Sequence, residues 1–137
     1  MDKVKVYTIG YGGREPQDIL RLARKLFADV WDIRFSARSR NAKWRQDSLA
    51  RLLAGRYRHM MAWGNRNYRG GPVELVNFEA GLEMLAYSSR NVILMCACRD
   101  HTHCHRTHVA ELLREHGYEP EELGETKPPG KQLSMVL

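Results

Sequence analysis

Three cysteines and three of the six histidines fall between Cys96 and Arg106, in the run Cys96-Ala97-Cys98-Arg99-Asp100-His101-Thr102-His103-Cys104-His105-Arg106. Thiols supply nucleophiles and soft metal ligands, and imidazoles titrate near neutrality. The run admits three chemistries. Cys96, Cys98 and Cys104 with one of His101, His103 or His105 would form a Cys3His set for tetrahedral zinc. Against this, C-x-C followed by a five-residue gap is not a standard finger or ribbon spacing, so zinc is the less favoured reading and no cofactor is expected. Alternatively, a thiolate at a helix start among arginines would have a lowered pKa and act as a nucleophile. The phosphatase pattern, an arginine six residues after the cysteine, is absent: Thr102, Cys104 and Ala110 occupy those positions. In the third reading the cysteines are small core residues, the commonest fate of the type. His108 lies three residues after His105 and shares its helix face.

Basic charge is the next chemical signal. The net charge is +6, and Arg34, Arg38, Arg40, Lys43, Arg45, Arg51, Arg56, Arg58, Arg66 and Arg69 face a single acid, Asp47, across that interval. Trp44, Tyr57, Trp63 and Tyr68 interleave with them, a composition suited to a polyanion with stackable bases. Arginine forks also bind phosphate bidentately. A solvated basic surface is the plain alternative. The stretch from Glu111 to Glu125 is acidic instead.

The elements that must position these groups alternate in type. Val4 to Ile9, Asp29 to Ile33, Tyr57 to Met61 and Asn91 to Cys96 read as strands. Helices are expected from Pro16, from about Gln46 to Ala54, from an Asn77 N-cap to Ser88, and from Cys104 to a Gly117 stop. Strand and helix alternating four times predicts a three-layer α/β domain over residues 1–125: a mainly parallel sheet of about four strands with helices on both faces. Residues 126–137 read as a disordered tail. No apolar stretch approaches the ~20 residues a membrane span needs, no signal peptide is evident, and three clustered cysteines suit a reduced, cytoplasmic setting.

In such a sheet ligands gather at the strands' C-terminal ends. That rim would present Tyr11, the residues from Asp32 to Ser36, Trp63 with Asn65, and the cysteine run. Arg34, Arg38 and Arg40 beside the helix start at Cys104 would form an anion site, because free N–H groups and the helix dipole both favour negative charge.

The chain resembles the domain of unknown function 488 family. The matching pieces are Tyr7-Thr8-Ile9-Gly10-Tyr11, Asp32-Ile33-Arg34, the loop Ser36 to Asn41, Trp63-Gly64-Asn65, and Cys96-Ala97-Cys98 with Cys104-His105-Arg106, over about residues 4–123. Many members carry a glutamate where this chain has Cys98. The resemblance implies an α/β fold and a shared site but no settled reaction. The expectation is a hydrolase-like enzyme acting on DNA, RNA or a nucleotide, in repair or base processing. Arg34, Arg38 and Arg40 would hold phosphate, with Tyr11 or Trp63 stacking a base beside Asn65. His105 would move a proton, Arg106 would stabilise developing charge, and Cys104 or Cys96 would shape the pocket or attack. The rivals are a non-catalytic nucleic-acid-binding module and a small structural zinc protein.

Overall fold

The computed structural model describes residues 3–98 and 104–124. The tail expected at 126–137 lies outside the described residues, as do His101 and His103. Five strands form one sheet: β1 (Val6–Gly10), β2 (Ala28–Asp32), β3 (Tyr57–His59), β4 (Asn91–Cys96) and β5 (Glu121–Glu122), in the order β3-β2-β4-β1-β5. Every pairing is parallel. The helices are α1 (Pro16–Lys25), α2 (Gln46–Leu53), α3 (Phe78–Ala86) and α4 (His105–Glu115).

Alternation along the strands builds two cores. Tyr7, Ile9, Val30, Ile93 and Met95 point to one face, where Ile19, Leu20 and Ala23 of α1 and Leu49 and Leu53 of α2 cover them. Val6, Trp31, Val92, Leu94 and Cys96 point to the other, beneath Leu85 of α3 and Val109 and Leu113 of α4. Chain order explains the division. The path runs outward from β1 to β2 and β3, then returns to β4, and right-handed crossovers put the returning helices on the opposite face.

The caps follow the local sequence. Pro16 opens α1, where its missing N–H costs nothing. Asn77 Oδ1 accepts from the Ala80 N–H at the start of α3. Past α4, Gly117 adopts φ +88°, the left-handed conformation that ends helices. The fifth strand adds to the four expected ones. Its two glutamates have no apolar pattern, and they join the sheet through pairing with Tyr7 and Thr8 and through the Glu122 carboxylate.

Candidate functional site

Register decides which loops meet. Gly10 lies opposite Cys96, Asp32 opposite Met95 and His59, so β1, β4, β2 and β3 end on one rim. Two cavities open there and share Phe35, Ser36, Arg38 and Tyr68. The inner one, about 480 Å³, is also lined by Tyr11, Arg34, Asn65, Arg69, Cys96, Ala97, Cys98 and His105. The outer groove, about 1060 Å³, runs along Ser39, Arg45 and Gln46 to His59.

The three sulfurs stand together, all within 4.8 Å of one another. Cys96 and Cys104 are buried with their sulfurs 2.8 Å apart, while Cys98 is exposed. Hydrogen bonds from Cys104 and Cys96 hold the Cys98 thiol well below its usual range, helped by His105 and Arg106, and burial pushes Cys96 up. Any negative charge on the cluster therefore belongs at Cys98, the sulfur nearest solvent. His105 donates from Nε2 to the Ile33 carbonyl at 2.8 Å and points Nδ1 at Cys104 Sγ, 3.8 Å away. Burial lowers its pKa against that backbone hydrogen bond, which favours the neutral ring with a free Nδ1 lone pair.

Arg106 has a different task from the one its position in the sequence suggests. Its side chain is 0% exposed and does not line the cavity. It forms a bidentate pair with Glu122, Nε to Oε1 at 3.1 Å and Nη2 to Oε2 at 2.9 Å. Nη1 donates to Cys96 Sγ (3.1 Å) and the Cys98 carbonyl (2.8 Å). Burial opposes the guanidinium charge, but Glu122 and the sulfurs outweigh it and raise the pKa. Arg106 is thus a clamp on the cysteine loop, and the expectation that it faces the rim is corrected. Of the two neighbours, His105 faces the cavity. Gly10 completes the clamp: a Cβ there would lie 1.5 Å from the Cys98 carbonyl oxygen, so only glycine lets the loop cross the end of β1.

Arg34 is likewise committed within the protein. It is 7% exposed, donates Nε to Asp32 Oδ1 at 2.8 Å, and sends Nη1 to the Trp44 carbonyl and the Tyr11 hydroxyl. Asp32, 0% exposed, also accepts from the Tyr57 hydroxyl at 2.6 Å. Burial first and then the Asp32 charge raise the Tyr57 pKa. Arg34 therefore shapes the cavity wall, and its expected phosphate contact gives way to an internal ion pair. Tyr11 stacks on buried Trp44, ring centroids 4.0 Å apart at 9°, so one ring face is already taken.

Trp63 is the clearest correction among the aromatic residues. It is 0% exposed, stacked at 5.7 Å on Phe78, and its Nε1 donates to the Phe78 carbonyl. It offers no face to a base. The adjoining Gly64 lets the Phe35 backbone approach, since a Cβ would lie 2.6 Å from Phe35 Cα. Asn65 Oδ1 accepts from the backbone N–H groups of Asn67 and Glu74 and thereby folds the loop above the cavity. Arg38 and Arg40 are exposed as a phosphate site requires, but only Arg38 lines the two cavities.

The available stacking surface is instead Phe35 against Tyr68, centroids 5.6 Å apart, with Arg69 5.5 Å above the Tyr68 ring. Phe35 lacked a signal in the sequence. Tyr68 and Arg69 had one, as members of the basic-aromatic interval, but nothing there distinguished them from Trp44 or Tyr57.

Residues 66–113 match the family model described as Domain of unknown function DUF488. The resemblance to DUF488 is borne out. The matched stretch runs from the Tyr68 loop through α3 and β4 to Cys104-His105-Arg106 and most of α4. The DUF488 description assigns no activity. No curated protein and no solved structure matches the chain. Among the described residues, no helix is long and apolar enough to cross a membrane.

Proposed function

We propose that the chain is an enzyme acting on a nucleotide-like, phosphate-bearing substrate, free or within a nucleic acid strand, with hydrolytic chemistry centred on the cysteine cluster. One observation carries the reading: a single cavity of about 480 Å³ brings the exposed Cys98 and the imidazole of His105 together with Arg38, Arg69 and the Phe35–Tyr68 pair. That volume suits one nucleotide. The aromatic pair supplies a flat apolar surface for a base, and the exposed arginines supply counter-charge for phosphate. The adjoining groove, with Arg38 and Arg45 on its wall, gives a longer strand a path away from the cavity. His105 Nδ1 beside the sulfurs supports proton transfer at the cavity floor.

The test combines binding and turnover on nucleoside monophosphates and short single-stranded oligonucleotides. Arg38→Ala is expected to weaken binding and reduce its salt dependence. Cys98→Ala is expected to retain binding and abolish turnover. Binding without turnover in the unaltered chain would make it a non-catalytic nucleic-acid module. No binding of either probe would remove the substrate assignment.

A further inference from the structure

We propose that Cys96, Cys98 and Cys104 form a zinc site, with His105 Nδ1 as the fourth ligand, at the floor of the rim cavity. Convergence of donors is the first argument. The sulfurs come from the end of β4, the loop after it and the residue before α4, yet all lie within 4.8 Å of one another. Zinc–sulfur bonds of about 2.3 Å in a tetrahedron put sulfurs about 3.8 Å apart. The Cys104 Sγ to His105 Nδ1 separation is 3.8 Å, close to a tetrahedral edge. Cys96 and Cys104, at 2.8 Å, would part by about 1 Å on closing around an ion of that geometry.

The surrounding shell is the second, independent argument. Metal-bound histidines usually donate their other ring N–H to a carbonyl or carboxylate, which fixes the tautomer and aims the lone pair. His105 does this through Nε2 to the Ile33 carbonyl. Three thiolates around a divalent ion leave one negative charge in a largely buried place, and Arg106 Nη1 donates to Cys96 Sγ from a fully buried guanidinium. The same nitrogen holds the Cys98 carbonyl over Gly10. The loop is thus fixed in the shape that gathers the ligands. Exposure of Cys98 puts one edge of the site toward the cavity.

The inference concerns the site discussed under Proposed function but stands apart from its substrate, because metal is measured with no substrate present. The full chain, purified under reducing conditions without added metal, is analysed by elemental analysis and by cobalt substitution. The expected results are one zinc per chain and, for cobalt, thiolate charge-transfer absorption with the strong visible bands of a tetrahedral ion. Cys98→Ser, at an exposed position, is expected to fold, to lose at least tenfold in zinc affinity and to weaken the charge-transfer band. His105→Gln should keep that band and shift the visible bands. A chelator should lower the melting temperature of the unaltered chain more than that of Cys98→Ser. A metal-free chain with three titratable thiols and no cobalt spectrum would overturn the proposal. So would a Cys96–Cys104 disulfide without metal, or copper or iron in place of zinc.

Discussion

Replacing Arg106 with methionine tests whether this residue clamps the cysteine loop. Methionine keeps much of the volume and fills irregular space, so the change chiefly removes charge and hydrogen bonds. Four donor contacts disappear: two to Glu122, one to Cys96 Sγ and one to the Cys98 carbonyl. Breaking a buried pair costs about 3–5 kcal/mol, because the surviving charge is left uncompensated. Glu122 is 29% exposed and keeps the Thr8 hydroxyl as a donor, so water offsets part of the loss. The lower end, about 3 kcal/mol, is therefore expected. For a chain of this size that corresponds to a melting-temperature drop on the order of 10 °C. Adding Glu122→Gln to Arg106→Met should restore part of it, since the orphaned charge is then gone. Glu122→Gln alone should be costly, because Arg106 is completely buried. The assay is thermal and urea denaturation of all four proteins, read as a double-mutant cycle. Equal stability of Arg106→Met and the unaltered chain, or strictly additive effects, would refute the clamp.

Gly10→Ala forces a Cβ onto the Cys98 carbonyl and should cost at least ~1–3 kcal/mol. Gly55→Ala, with nothing within 4 Å of the new atom, should be within about 1 kcal/mol of neutral; urea midpoints separate the two. Asp32→Asn leaves Arg34 buried without its anion and should destabilise by about 3–5 kcal/mol. Arg38→Ala, at an exposed side chain, should change stability by no more than about 0.5 kcal/mol. In polyanion binding, Arg38→Ala should flatten the salt dependence by about one unit of log-log slope, and Arg40→Ala, outside both cavities, by less. An equal effect of the two would move the anion path off the cavity.

The strands and helices were legible because their apolar periods are strong: Val6 to Gly10 and Asn91 to Cys96 are buried almost throughout, and Pro16, Asn77 and Gly117 punctuate the helices as their backbone chemistry requires. β5 was not legible, since two glutamates carry no strand signal and pair only because Arg106 and Thr8 engage Glu122. Within the site, the order of loops around the rim followed from strand-helix alternation, and the gathering of cysteines with His105 was visible as sequence proximity. The destinations of charged and aromatic side chains were not. Arg34 and Arg38 differ by one turn of loop, yet one is sealed against Asp32 and the other faces the cavity. Trp63 and Tyr68 differ similarly, because Gly81 leaves room for the indole beneath α3: a Cβ at Gly81 would lie 2.3 Å from Trp63 Nε1. Such partners are distant in sequence, and no local pattern encodes them.

The most direct test of the substrate assignment is a backbone and side-chain amide NMR titration of the full chain with a nucleoside monophosphate. The account predicts saturable shifts confined to Tyr11, Phe35, Ser36, Arg38, Asn65, Tyr68, Arg69, Cys98 and His105, weakened by Arg38→Ala. Shifts centred elsewhere, or none at millimolar ligand, would contradict it.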